Sequence, residues 1–455
     1  ITAYLSKWVA CSPHSAALVC PAMEFGAGHT GAAIAKGHPD EPLCSFAPHL
    51  CQRAALMGTF HALRGLNARL QALFMITLVF RTGTLAFPFY AAYLIHQHAI
   101  SAGTAGLLVG VYGAGALCTD LIIGAVIKRF SANRVILGSL LFNAVLLLVI
   151  PSVDNLLALF LLSFLWGACY EAFTPAAFSE TVAHSNLESR KVAFSCNRLA
   201  INIGMAIGPL LGSLIFLSNA DAVFYINAVL SLLAFAACLR FGRPRPATQD
   251  APVAGKGEGL PEVAAHERSR LLVILLAALP VHVAYALPPT FLSAYIINYT
   301  QLPAYYVGII FFINALLVIV FEVPINLRMA HLSSSRSLII GLLLAGCGFF
   351  LMGFGQVGAL LVLATVLWSL GEMIVFPAIT HYVSSISSRD SVGRNLGYYS
   401  AGVNIGVMIA PSLAFMLLAR PTLPSPWLLA GCVLLLFAIA VGMMKSSAVL
   451  WNKEA

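Results

Sequence analysis

Apolar residues in this chain run in stretches long enough to cross a lipid bilayer, and they do so again and again. A helix needs roughly 20 residues to span the hydrocarbon core. Between charged or Gly/Pro-rich breaks the sequence offers twelve such runs, near 70–95, 104–127, 135–152, 155–178, 194–218, 222–241, 271–297, 304–327, 337–355, 357–380, 395–418 and 427–445. Only helices and closed barrels satisfy their backbone in lipid, and continuous runs of this length specify helices. The expected fold class is an all-α integral membrane protein with twelve transmembrane helices. Only 9% of the 455 residues are charged, against roughly 25% in a soluble domain. That excludes an ordinary soluble enzyme, a disordered chain and a fibrous one.

The net charge of +8 comes from 25 Lys and Arg against 17 Asp and Glu. The basic residues sit in short connections between apolar runs, so they read as membrane orientation rather than nucleic-acid binding. One set of connections carries Lys128, Arg129 and Arg134, then Arg190 and Lys191, Arg243 to Arg268, Arg328 and Arg336, and Arg389 and Arg394; the other carries only Arg420. Positive loops stay inside, which places both termini in the cytoplasm. Cys118, Cys169, Cys196, Cys238, Cys347 and Cys432 lie in or beside the spans as small hydrophobes. No metal spacing appears among them, and no disulfide framework is expected.

The chain divides into an N-terminal extension (1–56), excluded from fold reasoning as a disordered or non-native segment, a first half (57–241), a Pro/Gly-rich cytoplasmic linker (242–269) and a second half (270–455). The extension holds Cys11, Cys20, Cys44 and Cys51 with several histidines; a metal-binding tail is the alternative there. The halves superpose by one gapless shift of 202 residues. It takes Asp120 to Glu322, Arg134 to Arg336, Trp166 to Trp368, Pro175 to Pro377, Asn202 to Asn404, Gly204 to Gly406 and Pro209 to Pro411. A parallel duplication of this kind occurs where two bundles rock about a central site.

Two motifs add to the repeat. The connection after span two reads Gly124-Ala-Val-Ile-Lys128-Arg129-Phe-Ser131-Ala-Asn-Arg134. Span five carries Gly204-x-x-x-Gly208-Pro209-x-x-Gly212. Small residues four apart make a flat face for close helix packing, and proline frees a backbone bond. With these motifs the chain resembles the major facilitator superfamily (MFS) over roughly 65–445, most of all its twelve-span drug:proton antiporter branch. The loop differs from that family's signature at Lys128, where an acid is usual, and at Ser131, where glycine is usual. The span-five motif is similar to the antiporter motif, although ordinary close packing is its plain alternative. The resemblance implies two pseudo-symmetric six-helix bundles, with spans one, four, seven and ten lining a central cavity.

Ionisable groups inside spans are expensive and mark substrate or proton pathways by default. Arg81, Glu171, His282 and Glu372 fall in spans one, four, seven and ten, so the resemblance turns all four toward the cavity. Arg81 is expected to serve Glu171, or an anionic substrate group, as counter-ion. Glu171 is the first candidate proton carrier, Glu372 its counterpart out of register by one residue, and His282 either titrates or is structural. Asp120, Glu322, Arg129, Arg134, Arg198 and Arg336 are expected to form gate or inter-bundle salt bridges. Phe87, Phe89, Tyr90, Tyr170, Phe173, Tyr285 and Phe291 lie near the cavity helices; for each, simple packing is the alternative. His184 is placed in the polar loop after span four.

No phosphate loop, HExxH or serine elbow is present, so no enzyme, cofactor or metal is expected. The expected partners are the lipid bilayer, protons and a small-molecule substrate, with no nucleic acid, and the chain is read as a monomer in a bacterial inner membrane. The expected function is proton-coupled efflux of a small amphipathic or drug-like compound by alternating access. An importer of a metabolite or siderophore on the same fold, and a non-transporting membrane sensor, are the rivals.

Overall fold

The computed structural model describes residues 65–185, 187–241, 265–329, 331–355, 357–387, 392–420 and 425–446. The extension 1–56 and most of the linker 242–269 lie outside them. The described residues form twelve membrane-length helices. α1 is in two parts, α1a (Ala68–Thr82) and α1b (Ala86–Gln97). There follow α2 (Ala102–Phe130), α3 (Ala132–Val149), α4 (Leu156–His184), α5 (Leu187–Phe216), α6 (Ala220–Phe241), α7 (Ala265–Tyr299), α8 (Tyr305–Met329), α9 (Ser334–Met352), α10 (Gly358–Ile386), α11 (Val392–Leu418) and α12 (Pro426–Ser446). α7 starts inside the segment expected to be linker. Side-chain oxygens of Asn67, Ser101 and Asn155 accept the Leu70, Thr104 and Ala158 amides and so start α1a, α2 and α4.

The 202-residue shift holds at the level of helix ends. The first span, 68–97, maps onto 270–299, and α4, 156–184, maps onto α10, 358–386. Outward-facing leucines such as Leu121, Leu157, Leu217, Leu276 and Leu436 are exposed, as expected of side chains that meet lipid. Helices apolar on every side carry little periodic signal. Helix rotation is therefore set by glycines and buried polar groups.

The connections after even-numbered helices share one side of the bundle with both ends of the helical region; the other side is called the far side. On the far side α2 lies against α11. A Cβ at Gly106 would stand 2.9 Å from the Pro411 carbonyl oxygen, and one at Gly113 would stand 2.9 Å from Met408 Cα. At Gly308 of α8 it would meet Leu210 Cα of α5 at 2.9 Å. Real Cβ atoms do not approach so closely, so glycine is required at these contacts. Ser293 of α7 donates to the Pro88 carbonyl of α1b, and Ser412 of α11 donates to the Gly106 carbonyl at 3.3 Å. These fits close the far side.

Candidate functional site

The first span breaks around Gly83. The Thr84 amide turns back to the Arg81 carbonyl at 3.0 Å and the Leu85 amide to the Gly83 carbonyl at 2.6 Å, in place of the helical ladder. Arg81 is thereby held at the end of α1a with 7% of its surface exposed. Its guanidinium donates to the Tyr170 hydroxyl and to Thr174 Oγ1 on α4, and lies over the Tyr170 ring at 4.8 Å from the centroid. Thr84 Oγ1 meets the Tyr170 hydroxyl at 2.9 Å. The break rests on the glycine stripe of α5. A Cβ at Gly204 would lie 2.7 Å from the Arg81 carbonyl carbon and the Thr82 nitrogen, and one at Gly208 would lie 2.9 Å from the Thr82 carbonyl oxygen. Gly212 would meet Phe89 at 3.0 Å, and Pro209 is buried between them. The partner of the flat face is thus the broken segment of α1.

Arg81 does not pair with Glu171: its two terminal guanidinium nitrogens are engaged by Tyr170 and Thr174 on α4, and its Nε is buried without a partner. Glu171 makes no hydrogen bond or ion pair among the described residues; the charges acting on it are those of Arg81 and Asp120. Asp120 forms no salt bridge among the described residues either. It accepts from Asn404 Nδ2 of α11 at 2.6 Å, across the two halves. Glu322, its repeat counterpart, pairs with Arg198 of α5 at 2.9 Å, also across the halves. The Arg198 side chain is 65% exposed, so this pair adds little stability.

Arg129, Arg134 and Arg336 do not enter salt bridges among the described residues. All three are exposed at helix ends, and Lys128 stands where an acid would have met them; Arg129 instead lies over Phe130 at 5.6 Å. Gly124 has open space around it. Ser131 has φ 69° and ψ 148°, a region favourable only to glycine, and its Oγ is buried without a partner. Ser131→Gly is expected to raise stability by about 1 kcal/mol, read as a higher unfolding midpoint in detergent; an unchanged or lower midpoint contradicts it. His184 lies in the last turn of α4, not in a loop, beside Glu180 (3.4 Å), which itself pairs with Arg69 at 2.8 Å.

A cavity of about 350 Å³ at mid-depth is walled by α7, α8, α10 and α11 of the second half and closed on one side by Asn202 and Met205 of α5. Of the four ionisable groups expected at the cavity, only His282 and Glu372 line it; Arg81 and Glu171 do not. Of the seven aromatic residues named from the sequence only Tyr285 does, joined by Phe311, Trp368 and Phe376. Glu372 accepts from Asn314 Nδ2 of α8 at 2.8 Å, and the same amide reaches Ser369 at 3.0 Å. His282 is 2% exposed. Its ring packs on Tyr399 at 5.0 Å and Phe376 at 6.0 Å, with neither nitrogen partnered. Gly406 of α11 seats the His282 backbone, as Gly204 seats Arg81.

The repeat explains why the cavity is one-sided. Asn314 and Glu372 stand 202 residues after Tyr112 and Tyr170. In the first half Tyr112 packs with Phe87 at 4.3 Å, Trp166 at 5.0 Å and Tyr170 at 6.3 Å, and Tyr170 packs with Phe80 at 5.3 Å, so aromatic rings occupy the matching positions. Sequence reasoning missed Asn314, Tyr170 and Thr174 as partners. The i, i+4 spacing of Tyr170 and Thr174 on one helix face was the available signal.

The sequence model of the Major Facilitator Superfamily matches residues 72–330 and again 274–453. The chain belongs to the major facilitator superfamily. It is 22% identical over 323 residues to the MFS-type transporter YqjV of Bacillus subtilis (strain 168), covering 69% of this chain and 77% of that protein. Over 162 residues it is 30% identical to the multidrug resistance protein MdtG of Escherichia coli (strain K12 / DH10B), covering 34% of this chain and 40% of that one. Among solved structures it is similar in fold to the nucleoside transporter NupG (TM-score 0.67, 16% identity, 84% and 99% of the two chains). A POT family transporter in complex with a thioalcohol conjugated peptide is similar too (TM-score 0.70, 15% identity, 85% and 100%). The twelve-helix, all-α MFS fold read from the sequence is thereby shown, and the chain is a multi-pass membrane protein of a transporter family.

Proposed function

We propose that this MFS transporter exports a small amphipathic or drug-like compound in exchange for protons, by alternating access of the halves 57–241 and 270–455 about the linker 242–269. The observation that carries the reading is the pairing of a mid-depth cavity holding Glu372 and His282 with a separate charged cluster of Arg81, Glu171 and Asp120. Glu171 is the proton carrier. Protonation removes one negative charge from a cluster of one guanidinium and two carboxyls. Asp120 of that cluster grips Asn404 on α11, the helix whose Gly406 seats His282. The proton site and the cavity thus share a mechanical link, as coupled alternating access requires. The inter-bundle contacts Asp120–Asn404 and Arg198–Glu322 act as the gate. The α5 glycine motif and the likeness to a multidrug resistance protein support the outward direction. Both termini face the cytoplasm of a bacterial inner membrane, and the monomer is the working unit.

The test uses purified protein in liposomes with an imposed pH gradient and a panel of lipophilic amines, dyes and siderophore-like anions. A panel compound is expected to move against the proton flow and to stop when the gradient is collapsed. Uptake in the direction of proton flow, in vesicles of known orientation, makes the chain an importer. Transport indifferent to the gradient removes proton coupling.

A further inference from the structure

We infer that the second-half cavity is a binding site for protonated amines with a flat apolar body, in which Glu372 takes the ammonium N–H and His282 provides a second polar contact. The inference rests on the reading that the chain carries a small molecule, and it specifies which kind.

The departure from the repeat locates the site. Where the first half packs Tyr112 and Tyr170 into a solid aromatic cluster, the second half has Asn314 and Glu372 and an open space of about 350 Å³. That volume lies within the usual range for small-molecule sites. A carboxyl placed in an aromatic cavity at mid-membrane costs stability unless it has partners. Glu372 has one neutral donor, Asn314, and no cation among the described residues. No lysine or arginine lines the cavity. The partner that holds Glu372 ionised is then a positive charge that arrives with the ligand.

The unpaired acceptor sites of Glu372 call for N–H donors, which a primary or secondary ammonium has and a quaternary one lacks. The second polar contact has its own signal. His282 is buried with both ring nitrogens unpartnered, and a buried polar group without a partner needs an explanation. Its ring packs against Phe376, one helical turn from Glu372, so both residues flank the same wall. A neutral imidazole offers one acceptor and one donor. Its Nε2 edge now faces Gly402 of α11, so on binding the ring turns to take a further ammonium N–H or an acceptor atom beside the amine. Tyr285, Trp368 and Phe376 supply flat faces for the apolar body, and they add attraction for a cation.

The experiment is equilibrium dialysis of the full chain in lipid nanodiscs, with empty nanodiscs as blank. The probes are a matched set: 2-(1-naphthyl)ethylamine, its N-trimethyl derivative and 1-naphthaleneacetate. The amine is expected to bind at least tenfold more tightly than either of the others, and Glu372→Gln to erase that advantage. One charge-assisted hydrogen bond corresponds to roughly ten- to a hundredfold. Acetate binding as tight as the amine overturns the proposal. So does equal binding of the trimethyl compound, or no amine binding at all. The ranking on the unsubstituted protein decides the matter even where Glu372→Gln does not fold. Proton-coupled transport of another compound without amine preference removes this site and leaves the exporter reading standing. Amine binding without coupled transport supports the site and removes the exporter.

Discussion

Gly204→Leu is expected to abolish transport and to destabilise the protein by about 3 kcal/mol or more, at the upper end of overpacking costs. Even an alanine there would bring its Cβ to 2.7 Å from the backbone of Arg81 and Thr82. Backbone cannot swing away as a flexible side-chain tip does, so α1 must lift off α5 at its break. The guanidinium of Arg81 then leaves Tyr170 and Thr174. Gly124→Ala is the matched control, since nothing lies within 4 Å of the added carbon. The pair is compared by yield of monodisperse protein, unfolding midpoint and vesicle transport. A Gly204→Leu protein as stable and active as Gly124→Ala would show that the α1–α5 seat does not matter.

Glu171→Gln is expected to reduce substrate-driven proton movement to the level of empty liposomes while substrate exchange between the two faces continues. Gln keeps the shape and removes the titration. Glu171 makes no hydrogen bond among the described residues, so the fold loses no partner by the change. Proton movement is read with a pH dye inside the vesicles, and exchange by counterflow of labelled compound. Persistent proton flux in the variant would transfer the carrier role to another group, with Asp120 the nearest candidate. Loss of exchange together with flux would mean that Glu171 serves substrate passage itself.

The topology was legible because lipid makes length and polarity decisive. Each span had to be about 20 apolar residues, and the gapless repeat supplied a second reading of the same boundaries. The family motif pointed to α5 but not to its partner; a small-residue stripe says that a helix comes close without saying which one. Rotation was the main thing hidden. In spans apolar all round, the one sequence feature that separates Glu372, which faces the cavity, from Glu171, which does not, is their one-residue offset in the repeat, about 100° of helix rotation. The resemblance turned all four ionisable groups inward, and the structure turns two. Pairing was hidden for a related reason. A buried arginine in a sequence calls for a carboxyl, whereas here the neutral hydroxyls of Tyr170 and Thr174, one turn apart, hold its fork. Among the described residues Arg129, Arg134 and Arg336 form no salt bridge, since charges at exposed helix ends reach water more cheaply than they reach a partner.

The two closures of this molecule are made of different materials. On the far side the halves meet through glycines against backbone and through serine hydroxyls on carbonyls. Toward the side of the even-numbered connections they meet through two carboxylates, Asp120 on an amide and Glu322 on a guanidinium. Salt screens the exposed Arg198–Glu322 pair and has no purchase on the backbone fits of the far side. In the alternating-access reading proposed above, one closure answers to ionic strength and the other only to movement of whole helices.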